Sequence, residues 1–97
     1  MVQWLIQYHP KVLEDIEKNV ALKDKALILE TLERRLSAEP EKMGKPLGNV
    51  LGGYRRIRIS KYRIVYELKR HTLTVYVVMI DRREDVYHEV LKRLGLF

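Results

Sequence analysis

The sequence predicts an α+β domain built as a strand, two N-terminal helices, three antiparallel strands forming a curved sheet, and a C-terminal helix. Two observations carry that prediction. Apolar residues recur at helical spacing from Val12 to Leu36 and then at every second position from Tyr54 to Ile80, so a helical layer precedes the sheet rather than alternating with it. The 97 residues hold no internal repeat and no linker-like stretch, which makes residues 1–97 a single domain.

Val2 to Tyr8 is short, apolar and aromatic and closes at Pro10, as a strand entering a turn does. Val12, Leu13, Ile16 and Val20 share one helix face. After a break at Asn19 to Ala21 a second stripe runs through Leu22, Ala26, Leu29, Leu32 and Leu36 and ends at Ser37 to Pro40. Acids and bases balance between these positions, as on amphipathic helices that cover a sheet. Pro40 to Gly53 holds two of the three prolines and four of the five glycines and reads as a loop. Gly44-Lys45-Pro46 lacks the strand before and the helix after that a phosphate-cradling loop needs. Strands are predicted over 54–59, 62–68 and 73–80, and the last, apolar on both faces, should be central. Asp81-Arg82-Arg83-Glu84 has the form of a capping box. Val86, Tyr87, Val90, Leu91 and Leu94 then give a closing helix one apolar face.

Charge sorts the chain into two halves. The net charge is +6, yet residues 1–53 hold 8 basic and 8 acidic side chains against 11 and 5 in residues 54–97. Eight of the ten arginines and five of the six tyrosines follow Gly53. Arginine forks onto phosphate oxygens and tyrosine offers a ring face to bases, so the second half suits a polyanion; solvated faces with ordinary arginine usage are the alternative. The absence of cysteine removes disulfide scaffolds, zinc knuckles and thiol nucleophiles. His9, His71 and His88 show no ligand spacing, so no metal site is read. The longest apolar run, Leu73 to Ile80, is far short of a membrane helix, and the first ten residues carry no basic leader; the expectation is a cytoplasmic protein that meets no membrane.

If Ser60-Lys61 turns the hairpin, Ile59 faces Tyr62, Arg58 faces Arg63, Ile57 faces Ile64 and Arg56 faces Val65. The apolar pairs fall into register. Arg58 then stands opposite Arg63 with Arg56 on the same face, an arrangement that costs stability unless an anion joins it. Either Glu67 or Asp81 neutralises the cluster, or a phosphate does; a phosphate gaining charge in a transition state would be stabilised by three converging guanidinium groups. Arg82 and Arg83 open the last helix and can point at the same anion. Tyr87 shares the helix face of Leu91 and Leu94, which makes it a rim tyrosine of the core as readily as a reactive one.

Glu39-Pro40, Gly44-Lys45-Pro46-Leu47, Gly53-Tyr54-Arg55-Arg56-Ile57-Arg58-Ile59, Tyr62-Arg63-Ile64-Val65-Tyr66-Glu67 and Arg82-Arg83-Glu84-Asp85-Val86-Tyr87 together resemble the RelE side of the RelE/ParE toxin superfamily over nearly the whole chain. The resemblance implies a RelE-like, microbial-RNase-like fold and the toxin of a type II toxin–antitoxin system. It implies an endoribonuclease that enters the ribosomal A site, contacts 16S rRNA and cuts mRNA by activating the 2′-hydroxyl, with no cofactor. By position, Arg58 and Arg63 would stabilise the phosphorane, Arg82 would assist the leaving oxygen and Tyr87 would be the general base. Arg56, Arg55, Lys61 and Arg83 would bind RNA, Arg83 being the alternative to Arg82. Asp81 stands where relatives often carry His or Lys, and Glu84, Asp85 and His88 are further acid or base candidates. An acidic, RelB-like antitoxin would cover the basic sheet. A ParE-like inhibitor of DNA gyrase and a non-catalytic RNA or ribosome binder are the competing readings.

Overall fold

Between Thr74 and Asp81 every side chain except Tyr76 is buried, because this strand runs inside a sheet that is covered on both faces. The computed structural model describes residues 3–96. Its strands are β1 (Leu5–Tyr8), β2 (Lys45–Gly48), β3 (Leu51–Ile59), β4 (Tyr62–Lys69) and β5 (Thr74–Asp81), in spatial order β1-β5-β4-β3-β2. All neighbours are antiparallel except β1 and β5, which run parallel with Leu5 beside Thr74 and Tyr8 beside Val77. Helix α1 (Val12–Asn19) follows β1; a 3-10 turn (Leu22–Asp24) leads into α2 (Lys25–Glu30), which widens into a π-helical stretch over Thr31–Leu36. Helix α3 (Tyr87–Arg93) closes the chain.

Alternation along the strands makes two cores. On one face Ile57, Tyr62, Ile64, Tyr66, Val75, Val77 and Ile80 meet Val12, Val20, Ile28, Leu32 and Leu36. On the other, Leu51, Val65, Val78 and Met79 meet Val86 and Val90 at α3. The α1 layer also finishes the sheet beyond the end of β1: the Ile80 N–H donates to Asp15 Oδ2 at 3.0 Å, and Asn19 Nδ2 donates to the Ile80 carbonyl at 3.0 Å. Backbone groups that lack a strand partner are thereby satisfied by side chains.

Three expectations change. Pro40 to Gly53 is not a loop throughout, since Lys45–Gly48 pairs with β3 as an edge strand, Lys45 beside Arg56 and Pro46 beside Arg55. Proline is tolerated there because an edge strand leaves one side of its backbone unpaired. The loop before it packs closely enough that a Cβ on Gly44, whose φ is +54°, would lie 2.7 Å from the Arg56 carbonyl oxygen and 2.9 Å from the Tyr66 hydroxyl. The second helical stripe is out of phase: Leu22 and Leu29 are exposed, while Ile28, Thr31, Leu32 and Leu36 are buried, because the helix starts as a 3-10 turn and widens after Glu30. Asp81 does not cap a helix. It ends β5, and α3 begins six residues on behind Val86, which offers no side-chain cap. Val2 lies outside the described residues; Gln3 and Trp4 are described but are not part of a strand, so the first strand is shorter than expected and begins at Leu5. Among the described residues no helix is long and apolar enough to cross a membrane.

Candidate functional site

The β3–β4 hairpin has the predicted register, with Ile59 beside Tyr62, Arg58 beside Arg63, Ile57 beside Ile64 and Arg56 beside Val65. Ser60 takes a left-handed φ of 56° in the turn, and Arg58 Nε donates to its carbonyl at 2.9 Å. Arg63 is the more deeply set of the pair, with a side chain only 13% exposed. Its Nη1 donates to the carbonyls of Lys61 at 3.3 Å and Arg82 at 3.2 Å, and its Nη2 lies 3.6 Å from Glu84, an almost fully exposed side chain. Neither acid proposed to neutralise the cluster does so. Asp81 stands beside Arg63 on β5, but its carboxylate accepts the Arg83 main-chain N–H at 2.9 Å and pairs with the Arg83 guanidinium at 3.2 Å. Burial works against the Asp81 carboxylate, yet these contacts outweigh it and hold its pKa below the ordinary value. Glu67 stands beside Tyr54, further along the strand.

The remaining candidates separate by position. The Arg56 side chain is exposed and makes no hydrogen bond or ion pair among the described residues. Arg82 is exposed, whereas Arg83 is tied to Asp81 and, at 3.2 Å, to Glu89, which leaves Arg82 the better placed to meet a ligand. Arg55 points to the opposite face, where Nη2 donates to the Gly44 carbonyl at 2.8 Å and holds the loop. Lys61 sits exposed in the turn with its ammonium 5.7 Å from the Tyr62 ring centre. Tyr87 is the first residue of α3 and packs against the cluster that contains Val65, the residue paired with Arg56; its hydroxyl makes one long contact, 3.5 Å, to the Gly48 carbonyl. The structure therefore groups Arg56, Arg58 and Arg63 on one sheet face and brings Arg82 to Arg63 through its carbonyl, whereas the Tyr87 hydroxyl lies on that face at Gly48, beside Leu51, towards the other end of β3 from Arg58.

The cationic surface extends further than the sequence indicated. An open cleft of about 590 Å³ is lined by Arg35, Lys42, Met43, Lys45, Arg56 and Arg58. Lys45 escaped notice because its segment reads as a loop, and Arg35 because it lies on the helical half. Among the described residues no three His, Asp or Glu side chains converge as a metal site would require.

Such a face can hold a doubly charged phosphate: forked donors on rigid strands strengthen as charge accumulates on the oxygens, and they are already desolvated in part at Arg63. Residues 6–87 match the family of the ParE toxin of the type II toxin–antitoxin system parDE. Over 62 residues the chain is 36% identical to Toxin RelG of Mycobacterium tuberculosis, covering 64% of this chain and 71% of that protein. Among solved structures, the RelBE2 toxin–antitoxin complex of M. tuberculosis superposes with a TM-score of 0.78 at 28% identity, over 84% of this chain and 100% of that one. The isolated RelE toxin of Escherichia coli matches in fold, with a TM-score of 0.64 at 21% identity over 94% and 98%. With a family match across most of its length and relatives that share both sequence and fold, the chain belongs to the RelE/ParE superfamily of type II toxin–antitoxin toxins.

Proposed function

We propose that this toxin is an endoribonuclease that cleaves mRNA in the ribosomal A site, where 16S rRNA helps to orient it. The observation that carries the reading is the Arg58–Arg63 juxtaposition with Arg56 beside it, a like-charge cluster whose acidic contact among the described residues is the exposed Glu84, 3.6 Å from Arg63. In this mechanism the 2′-hydroxyl of one nucleotide attacks the adjacent phosphorus. The O2′–P bond forms, the P–O5′ bond breaks, and the products are a 2′,3′-cyclic phosphate and a 5′-hydroxyl. Tyr87 takes the proton from the 2′-hydroxyl, Arg58 and Arg63 stabilise the phosphorane, Arg82 stabilises the leaving O5′ while solvent water protonates it to the 5′-hydroxyl, and Arg56 positions the backbone. Lys61 contacts the flanking backbone, and Arg55 and Arg83 support the site from behind.

An acidic antitoxin of the RelB kind is the proposed partner, as in the solved RelB–RelE complex of Pyrococcus horikoshii, whose toxin shares this fold. The basic sheet attracts its acids. An apolar groove of about 550 Å³ between α1 and α2, lined by Tyr8, Val12, Leu13, Ile16 and Leu29, offers a seat for an amphipathic segment of it, with Leu13 67% exposed. The test is a cell-free translation reaction to which the purified toxin is added, with mRNA ends mapped by primer extension. Cuts at A-site codons that vanish in Tyr87→Phe and Arg63→Ala support the reading. Intact mRNA with arrested DNA replication in cells supports instead a gyrase-directed toxin, the second reading, which the ParE description of the matching family favours.

A further inference from the structure

Helix α3 carries Tyr87 but has only seven residues, starts without a side-chain cap and is too short to hold itself in shape. Its apolar contacts through Val86 and Val90 are non-directional, so they bury the helix without fixing its rotation. Arg93, in the last turn, supplies the direction. Its Nη1 and Nη2 donate to Asp15 Oδ2 at 2.5 Å and Oδ1 at 2.8 Å, and Nη1 also donates to the Val78 carbonyl at 2.9 Å. The same carboxylate accepts the Ile80 N–H. Both β5 groups lie past Val77, where β1 stops, and Val78 is the residue left unpaired where β4 steps from Met79 to Val77. Asp15 is only 6% exposed. One turn earlier on α3, Glu89 takes Arg83, and a single cleft of about 240 Å³ is lined by Asp15, Arg93, Glu89, Arg83 and Asp81.

We propose that the Asp15–Arg93 clamp is a positioning device: it fixes the rotation and register of α3 and so sets Tyr87 against the arginine face. The catalytic part of this inference rests on the nuclease reading above. A buried fork-to-carboxylate pair adds little net stability over an apolar pair of the same size, but it accepts one geometry only. Misplacing a reacting group by about 1 Å costs on the order of 10²-fold in rate.

The experiment compares wild type with Asp15→Asn, Arg93→Lys and Arg93→Leu in A-site cleavage on programmed ribosomes, with amide exchange and Tyr87 nitration measured on the same samples. Asp15→Asn and Arg93→Leu should lower kcat by roughly 10-fold or more with KM within about 3-fold. Arg93→Lys should recover part of the loss. Amides of Val90 to Leu94 should exchange faster while Ile64 to Tyr66 stay protected. Full kcat in Asp15→Asn overturns the proposal, as does exchange that rises equally through the whole sheet. If the wild type does not cleave mRNA, the nuclease reading fails by itself. Faster α3 exchange and faster Tyr87 nitration in Asp15→Asn then still support the clamp, and unchanged rates overturn it.

Discussion

Arg58 stands directly across the hairpin from Arg63, and the two differ in how the fold holds them. Arg58 is exposed and bonded only to its own turn, whereas Arg63 is largely enclosed and bonded to carbonyls of Lys61 and Arg82. Like charges facing each other across strands cost about 0.2–1 kcal/mol. Arg58→Ala should therefore leave the protein as stable as wild type or more stable by up to about 1 kcal/mol, while lowering cleavage by about 10²-fold. Arg63→Ala should lose cleavage and also about 1 kcal/mol of stability through its hydrogen bonds. Urea unfolding midpoints beside cleavage rates check both; a destabilised Arg58→Ala with full activity would run against the assignment.

Asp81 gives the acid limb of stability a specific slope. Its native pKa lies below the unfolded value, so its contribution is complete above the ordinary carboxylate value of about 3.9 and is lost as pH falls through the depressed native value. Asp81→Asn should flatten the stability profile below about pH 4, with fewer protons taken up on unfolding there. The check is the urea midpoint measured at several pH values, and an unchanged acid slope would exclude this role.

Gly44 is held where a side chain cannot follow. Gly44→Ala introduces a Cβ 2.7 Å from a main-chain oxygen at φ +54°, so it should cost about 2–4 kcal/mol, from overpacking and left-handed strain together. Thermal unfolding reads this directly. Gly53→Ala, where a Cβ would meet nothing within 4 Å, is the matched control.

Arg35 and Lys45 line the cleft that continues the arginine face. Replacing both by alanine should weaken binding of single-stranded RNA equally for different sequences. The slope of log affinity against log salt should fall by about 0.7 for each phosphate that these two side chains neutralise in the wild type. Fluorescence anisotropy over a salt series measures both quantities.

Much of this arrangement was legible in the sequence, and each part that was not has its own physical reason. The register of the hairpin followed from a two-residue Ser60-Lys61 turn, with the Ile57–Ile64 and Ile59–Tyr62 apolar pairs falling into place on it. The phase of the second helix was misread because the sequence carries no mark of a 3-10 start or a π-helical stretch, so Leu22 and Leu29 turned outward. Lys45–Gly48 was missed because proline and glycine mask an edge strand. Asp15 and Arg93 are 78 residues apart, and each reads in the sequence as an ordinary helix-surface charge; only the packing of α1 and α3 on the same end of β5 brings them together. The sequence did not show that Arg83 pairs with Asp81 and Glu89, because those pairs depend on the path of the chain between β5 and α3.

The measurement closest to the central claim uses an mRNA with a single 2′-deoxynucleotide at the codon position that is cut on a programmed ribosome. If the arginine face and Tyr87 act through the 2′-hydroxyl, the all-ribose mRNA is cut there to a 2′,3′-cyclic end and the deoxy-substituted mRNA remains whole at that site. Cleavage of the deoxy-substituted mRNA at the same position and rate would contradict the account.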